Sequence, residues 1–463
     1  MATALTVPFP RKSWLDRLLG LAAEVLPGES VTALLLSLNG FLILAAYYVI
    51  RPLRAAFLLP VRITLPSGDV LTGAVITSYV GAILAGLFLV IVPLYGKLAS
   101  RVSRIWLING LTLFFISNLI GFYFLGRAGA TPVLLGIGFT LWTGIFNLMV
   151  VAQFWSFAND LYTVEQGKRL FAIVGFGYTV GAIAGALITS RLIVGLGELP
   201  MMLISAAILL VCLALTNLIH ARERNRTRDP KGGQIADQPL GRAGGFQLVL
   251  GQRYLLLIGL LTLAAQVANT GGNYIRDETL GQIARQAVAA GTAGGLSERQ
   301  LVGSFMAGMD FWQNVLVVAI QFFLVSRVFK YLGVGGALLV LPTIAFGGYG
   351  LFAVVPALAI IRVAQISVNA TDYSLQNTVR RALFLPTSRE AKYKALQAIE
   401  TFFWRTGDML SAATTFVIVQ LLGLGVRSYA VVNLAFVAVW ILIAVGLSRE
   451  NRRLTAETEA PAA

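Results

Sequence analysis

Apolar runs of about 20 residues recur twelve times along this chain, at roughly 31–53, 71–95, 104–125, 133–157, 170–195, 198–219, 254–276, 301–326, 334–355, 357–379, 396–424 and 427–448. A helix of about that length crosses a hydrocarbon core about 30 Å thick, and only helices or closed barrels satisfy every backbone polar group there. Of the 463 residues, 57% are hydrophobic and 12% charged, which is about half the charged share of an average soluble domain. A soluble chain of this length would lack the polar residues to cover its cores. The reading is an all-α polytopic membrane protein with both faces of most helices in apolar surroundings.

The longest polar stretch between runs, 221–245, follows the sixth run and divides the chain six plus six. The expected organisation is an N-terminal segment (1–30), a six-helix half (31–220), a linker (221–248), a second six-helix half (249–448) and a tail (449–463). Within the first segment, Trp14, Leu18, Leu21 and Val25 repeat at helical spacing over a stretch too short to span, which predicts a helix lying on the membrane surface. An even number of crossings puts both termini on one side. That side collects 25 of the 36 basic residues, so the termini and linker are expected in the cytoplasm, in a bacterial-type inner (plasma) membrane. The net charge of +15 is then an orientation signal, and no nucleic-acid partner is needed to explain it.

Composition excludes several chemistries. A single histidine, His220, and a single cysteine, Cys212, cannot build a His/Cys metal site or an internal disulfide. No G-x-x-x-x-G-K-[ST] segment is present, so the chain carries no Walker-type nucleotide hydrolase. No nucleophile–base pair is visible, and neither an enzyme nor a cofactor is expected. The Gly-rich stretch from Gly175 to Gly185 has no preceding strand and reads as close helix packing.

The two halves echo each other. Tyr48-Val49-Ile50-Arg51 corresponds to Asn273-Tyr274-Ile275-Arg276, and Lys168 and Gly181 correspond to Lys394 and Gly407, at nearly one offset of about 225 residues. Duplicated six-helix halves are the layout of the major facilitator fold, with substrate held between them near the bilayer midplane. The loop Gly96-Lys97-Leu98-Ala99-Ser100-Arg101-Val102-Ser103-Arg104 resembles that superfamily's G-x-L-A-D-R-x-G-R-K loop, with Ser100 and Ser103 in place of its Asp and Gly.

Charges inside spans are expensive and mark cavities or partners. Arg51 and Arg54 share a helix face, in a first helix whose apolar run resumes to Leu59. Two guanidinium groups there suit an anionic ligand, and snorkelling to the headgroups is the bland alternative. Arg362, Gln365, Asn369, Asp372 and Gln376 make one polar stripe on the tenth run, expected to be either a cavity wall or an inter-helix hydrogen-bonding seam. On the eleventh, Glu400, Trp404 and Asp408 are expected on one face, with Arg405 able to pair with Asp408 and Trp404 able to stack on a ring or simply to pack. Asp310 sits mid-span between apolar flanks. It joins Asp372, Glu400 and Asp408 as candidates for coupling by proton exchange, the alternative being static ion pairs.

Some segments resemble the nucleotide transporter family of ATP:ADP antiporters. Phe154-Trp155-Ser156-Phe157-Ala158-Asn159-Asp160, followed by Glu165-Gln166-Gly167-Lys168-Arg169-Leu170-Phe171, is similar to its F-W-x-F-A-N … E-A-K-R-F-Y run. Tyr48-Val49-Ile50-Arg51-Pro52-Leu53-Arg54 resembles its first-helix pattern, and Arg389-Glu390-Ala391-Lys392-Tyr393-Lys394 leading to Arg405-Thr406-Gly407-Asp408 its late region. The resemblance implies exchange of adenine nucleotides, or of a related phosphorylated compound, by alternating access. It places Arg54 where the family has a substrate-binding lysine and Thr143 where it has an acid, and no glutamate follows Gln266 before Glu278.

The expected function is therefore secondary transport of a small anionic solute such as a nucleotide. Arg51, Arg54, Gln153, Arg276, Arg362, Gln365, Asn369, Trp404 and Arg405 are the candidate binding residues, and Asp160, Lys168, Arg169, Glu390 and Lys394 the candidate cytoplasmic gate. The rival expectations are a proton-coupled exporter of another organic solute and a non-transporting partner in a membrane complex.

Overall fold

The structure is a computed structural model that describes residues 14–15, 25–26, 29–99, 101–162, 164–224, 245–384, 386–388, 391 and 395–459. Helices α1 (Ser30–Ile50) and α2 (Leu53–Leu58) form one run, separated by Pro52, which has no N–H to donate. The run continues to Leu58, as the apolar residues after Arg54 predict. There follow α3 (Gly73–Ala99), α4 (Arg104–Arg127), α5 (Pro132–Leu161), α6 (Val164–Leu196) and α7 (Leu199–Arg224). The second half contains α8 (Gly245–Gly251), α9 (Arg253–Ala289), α10 (Glu298–Ala319), α11 (Val325–Val354), α12 (Leu358–Thr371), α13 (Asn377–Leu383), α14 (Leu396–Ala398), α15 (Trp404–Thr415) and α16 (Val426–Glu459).

Among the described residues nine helical runs are long and apolar enough to cross a membrane. One of them, Glu298–Val354, is 57 residues long and breaks at Gly333, whose φ of +65° is not helical; it covers two of the expected runs. The expected runs at 357–379 and 396–424 are helical but broken by π turns at Asp372–Gln376, Ile399–Phe403 and Phe416–Leu421. Leu134, Leu442, Phe124 and Phe322 are among many large apolar side chains facing outward, as a surface solvated by lipid requires.

Two features depart from the sequence reading. The fold is not wholly helical: β1 (Arg62–Thr64) and β2 (Val70–Thr72) pair antiparallel in a short hairpin. Its turn closes through Leu65 N–H to the Asp69 carbonyl at 2.8 Å, with Gly68 at φ +90°. The last helix runs on to Glu459, into the expected tail. The surface helix and most of the linker lie outside the described residues.

Each half has its own core, one built around Phe139, Phe146 and Phe115 and the other around Tyr349, Phe352 and Trp440. The Gly-rich stretch does what its composition predicts. Cβ atoms built on Gly177, Gly181 and Gly185 would lie 2.1, 2.2 and 2.3 Å from Ser37, Phe41 and Ala45 of α1, so α6 lies directly on the α1 backbone. The second half repeats the contact: a Cβ on Gly407 of α15 would lie 2.7 Å from the Gln266 side chain of α9. Small residues supply such approaches where lipid offers no hydrophobic drive between helices.

At the start of α1, Glu29 accepts two bonds from Arg169 of α6, at 2.9 and 3.0 Å. Burial alone would raise the Glu29 carboxyl, but those bonds, with the Leu26 N–H and Gln166, outweigh it and hold it below the usual carboxylate range.

Replacing Gly181 with Leu is expected to cost about 1–3 kcal/mol, because the obstacle is backbone that cannot move aside. Gly195→Leu on the same helix meets nothing within 4 Å and should leave stability unchanged. Thermal unfolding of the two purified variants in one detergent checks both.

Candidate functional site

The far end of the bundle, opposite the Ser30 start of α1 and the Glu459 end of α16, is tied shut between the halves. Thr72 donates to Glu278 at 2.6 Å, and Arg299 pairs with Glu198 at 3.1 Å while its guanidinium lies over the Phe57 ring. Ser297 and Gln300 form a capping box at the start of α10, and Gln300 also donates to the Val194 carbonyl at 3.1 Å. A Cβ on Gly303 would meet Ile193 at 2.3 Å, so α10 sits tightly on α6.

Below this closure a cavity of about 300 Å³ opens between the halves, at the lower end of the range for small-molecule sites. The first half contributes Arg51, Arg54, Thr77, Ser78 and Thr140, and α9 contributes Gln266, Asn269, Thr270, Asn273, Arg276 and Asp277. Asp310 and Gln313 come from α10, Asn369 from α12, Tyr373 from the π turn after it, and Asp408 from α15. The arginines of the first helix therefore face a cavity between the halves, and the snorkelling alternative is set aside.

Most of its charges are already paired. Arg51 Nη1 lies 3.1 Å from Asp310 Oδ1, a bond between the halves, with the guanidinium 5.0 Å from the Tyr48 ring. Arg276 Nη2 lies 2.7 Å from Asp277 Oδ1, and its Nη1 donates to Asn273. Asp408 accepts from Gln266 at 2.7 Å, from Thr270 at 3.1 Å and from Arg405 at 3.3 Å. Among the described residues no carboxylate lies within salt-bridge reach of Arg54, whose Nε donates to the Arg51 carbonyl at 3.3 Å. Thr140, Asn269 and Gln313 also line this space, and one side-chain polar atom of each, Oγ1, Oδ1 and Nε2, is buried without a hydrogen-bond partner among the described residues. Buried polar atoms are normally satisfied, so these three residues stand out along the wall.

The remaining candidate residues divide. Asn369 lines the cavity; Gln365 lies behind it, bonded to Tyr349 at 3.2 Å. Asp372 is buried against Arg380 at 3.5 Å, and Arg380 covers the Trp404 ring, so neither Asp372 nor Trp404 lines the cavity. Arg405 stacks on Phe88 of α3 and reaches the cavity only through Asp408. Arg362 is a correction: it sits over Phe305 in a separate apolar groove with Trp312 and Val363. Glu400 is exposed and is not among the residues that line the cavity. The π turn at Ile399–Phe403 inserts a residue and rotates the helix face by roughly 100°. Gln153 belongs to a small pocket of about 20 Å³ inside the first half, beside Asn39 and Thr216. Asp160 is exposed and Arg169 is held by Glu29; of Lys168 only the helical backbone is described, and Glu390 and Lys394 lie outside the described residues.

Asp277 was missed, because next to Arg276 it reads as that residue's neutraliser. Thr143 is buried and donates to the Phe139 carbonyl at 2.7 Å, away from the cavity. A carboxylate does reach Gln266, supplied by Asp408 of the facing helix.

No family model matches the chain. Over 344 residues it is 23% identical to "ADP,ATP carrier protein 1" of Chlamydia pneumoniae, covering 65% of this chain and 64% of that protein. The protein of the same name from Chlamydia trachomatis serovar D is also 23% identical, over 348 residues, 65% of this chain and 62% of that one. The match thus spans less than two thirds of either relative. Among solved structures, a bacterial homologue of the iron transporter ferroportin superposes with a TM-score of 0.61 at 13% identity, covering 90% of this chain and 98% of the other. The nucleoside transporter NupG gives 0.59 at 15%, again over 90% and 98%. The fold is major facilitator-like. In sequence the chain is similar to the ADP,ATP carrier proteins, and it is an integral membrane protein.

The Arg51–Asp310 pair predicts a double-mutant cycle. Removing either partner leaves an uncompensated charge and is expected to cost about 3 kcal/mol or less, since the cavity is partly open to solvent. Arg51→Met combined with Asp310→Leu should recover most of that loss. Thermal unfolding of the single and double variants measures it, and additive losses would mean the two charges do not interact.

Proposed function

We propose that this chain is a secondary transporter that moves a nucleotide or a related phosphorylated metabolite by alternating access, exchanging one solute for another. The observation that carries the reading is Arg54, a guanidinium without a carboxylate partner among the described residues, in a cavity between two halves. The similarity to ADP,ATP carrier proteins supplies the substrate class. A guanidinium takes phosphate oxygens bidentately, and Thr140, Asn269 and Gln313 offer neutral hydrogen bonds to the rest of the solute.

In this reading the halves rock about the cavity. The far-end ties of Thr72 to Glu278 and Arg299 to Glu198 break as the opposite end closes. Lys168, Arg169 and Asp160, with Glu390 and Lys394, would form the gate at that opposite end, on the cytoplasmic side with the termini. Asp310 and Asp408 touch the cavity and are the groups through which protons would couple to the solute.

The test is counterflow of labelled ATP or AMP into proteoliposomes preloaded with ADP, AMP, phosphate or nothing. Uptake that requires a phosphorylated solute inside is the expected result. Uptake that ignores the internal solute and collapses with a protonophore would replace exchange by proton coupling, and no uptake under any loading would retire the nucleotide reading. Arg54→Ala should weaken solute affinity about tenfold to a hundredfold, the worth of a charged hydrogen bond. Normal transport by that variant would sink the cavity assignment.

A further inference from the structure

Three cations and three acids line the central cavity, and one of the acids is taken by an arginine behind the wall. Arg51, Arg54 and Arg276 stand against Asp277, Asp310 and Asp408. Two of the arginines are committed, Arg51 to Asp310 at 3.1 Å and Arg276 to Asp277 at 2.7 Å. Asp408 is engaged from behind by Arg405 at 3.3 Å. What remains for a ligand, among the described residues, is one guanidinium, that of Arg54. Around it stand neutral groups, of which Thr140, Asn269 and Gln313 each carry a buried polar atom without a protein partner.

A solute with three or four negative charges entering this space would meet as many fixed acids as fixed cations. Its surplus charge would be desolvated without a counter-ion, the costliest form of burial. A solute with one anionic group and many neutral donors and acceptors meets what the wall provides. We propose that the cavity selects a solute with a single anionic group, which in the nucleotide reading is a nucleoside monophosphate in preference to the di- or triphosphate. The preference for one phosphate rests on the cavity's charges; the nucleoside part rests on the function proposed above. Arg51 is the reserve: it becomes available to further phosphates only when Asp310 lets go of it.

Equilibrium binding of AMP, ADP and ATP to the purified full chain decides this, in magnesium-free buffer at constant ionic strength so that no cation shields the phosphates. AMP is expected to bind at least about tenfold more tightly than ATP, with ADP between. Asp310→Asn frees Arg51 and should move the preference towards ADP and ATP; an unchanged order in a folded variant would overturn that pair as the cause. If the variant fails to fold, the wild-type series decides alone. ATP binding as tightly as AMP, or more so, overturns the proposal and leaves the nucleotide reading standing. If no nucleotide binds, the nucleotide reading fails, and the same titration is made with inorganic phosphate, pyrophosphate and tripolyphosphate. Phosphate ahead of tripolyphosphate then supports the charge limit; the reverse order, equal binding or no binding overturns it.

Discussion

A guanidinium group held inside an apolar bundle has to be answered by something, and the arrangement of this protein follows from how each one is answered. Asp310 answers Arg51 across the halves, Asp277 answers Arg276 within one helix, and Asp408 answers Arg405 one turn on. Each pair gives up hydration that a protein interior repays only with close geometry and further hydrogen bonds. Those extra bonds are present: Asn273 on Arg276, and Gln266 and Thr270 on Asp408. The polar groups of α9 are therefore explained largely as partners of charges, and the cavity is the space their geometry leaves.

The same economy shapes the backbone. Helices in lipid gain little from hiding apolar side chains from one another, so they adhere where small residues let main chains touch. Gly177, Gly181 and Gly185 bring α6 onto α1, and Gly407 brings α15 onto α9, at matching places in the two halves. Arg51 and Arg276 also occupy matching places, yet their acids come from different directions, one from the other half and one from the next residue. The duplication preserves the packing while the charge pattern has diverged, which is where a binding site specialises.

The architecture was legible because runs of apolar residues and small-residue spacing act locally, and the structure repeats them with little interference. The first helix is the clearest case: the apolar residues after Arg54 place both arginines inside. Helix faces near π turns were not legible. Arithmetic in steps of three and four assumes a uniform turn, and the π turn at Ile399–Phe403 breaks that assumption at Glu400. Arg362 failed differently: it lies close to the start of α12, where it meets the aromatic face of Phe305 rather than the cavity. Gln153 and Thr143 lie on the same helix as Thr140, Gln153 in a pocket within its own half and Thr143 bonded to its own helix, and nothing in one sequence tells such residues from one facing a cavity. Asp277 was hidden by adjacency, since a neighbouring Arg–Asp reads as self-cancelling even where both side chains reach the cavity.

The bonds between the halves differ in kind, and the difference bears on movement. At the far end they are short ties between turns and helix starts: Thr72 with Glu278, Arg299 with Glu198, Gln300 with the Val194 carbonyl. In the proposed exchange these ties would give way when that end opens, together with the packing of Gly303 against Ile193. Arg51 and Asp310 lie deeper, on the cavity wall, where water is scarcer and separation would strand two charges. In the proposed exchange that pair would be the pivot, staying closed while the two ends alternate. A solute that competes with Asp310 for Arg51 would act on the pivot itself, whereas one held by Arg54 alone would leave it intact. Which arginine takes the solute's charge therefore decides whether binding loosens the halves or merely fills the space between them.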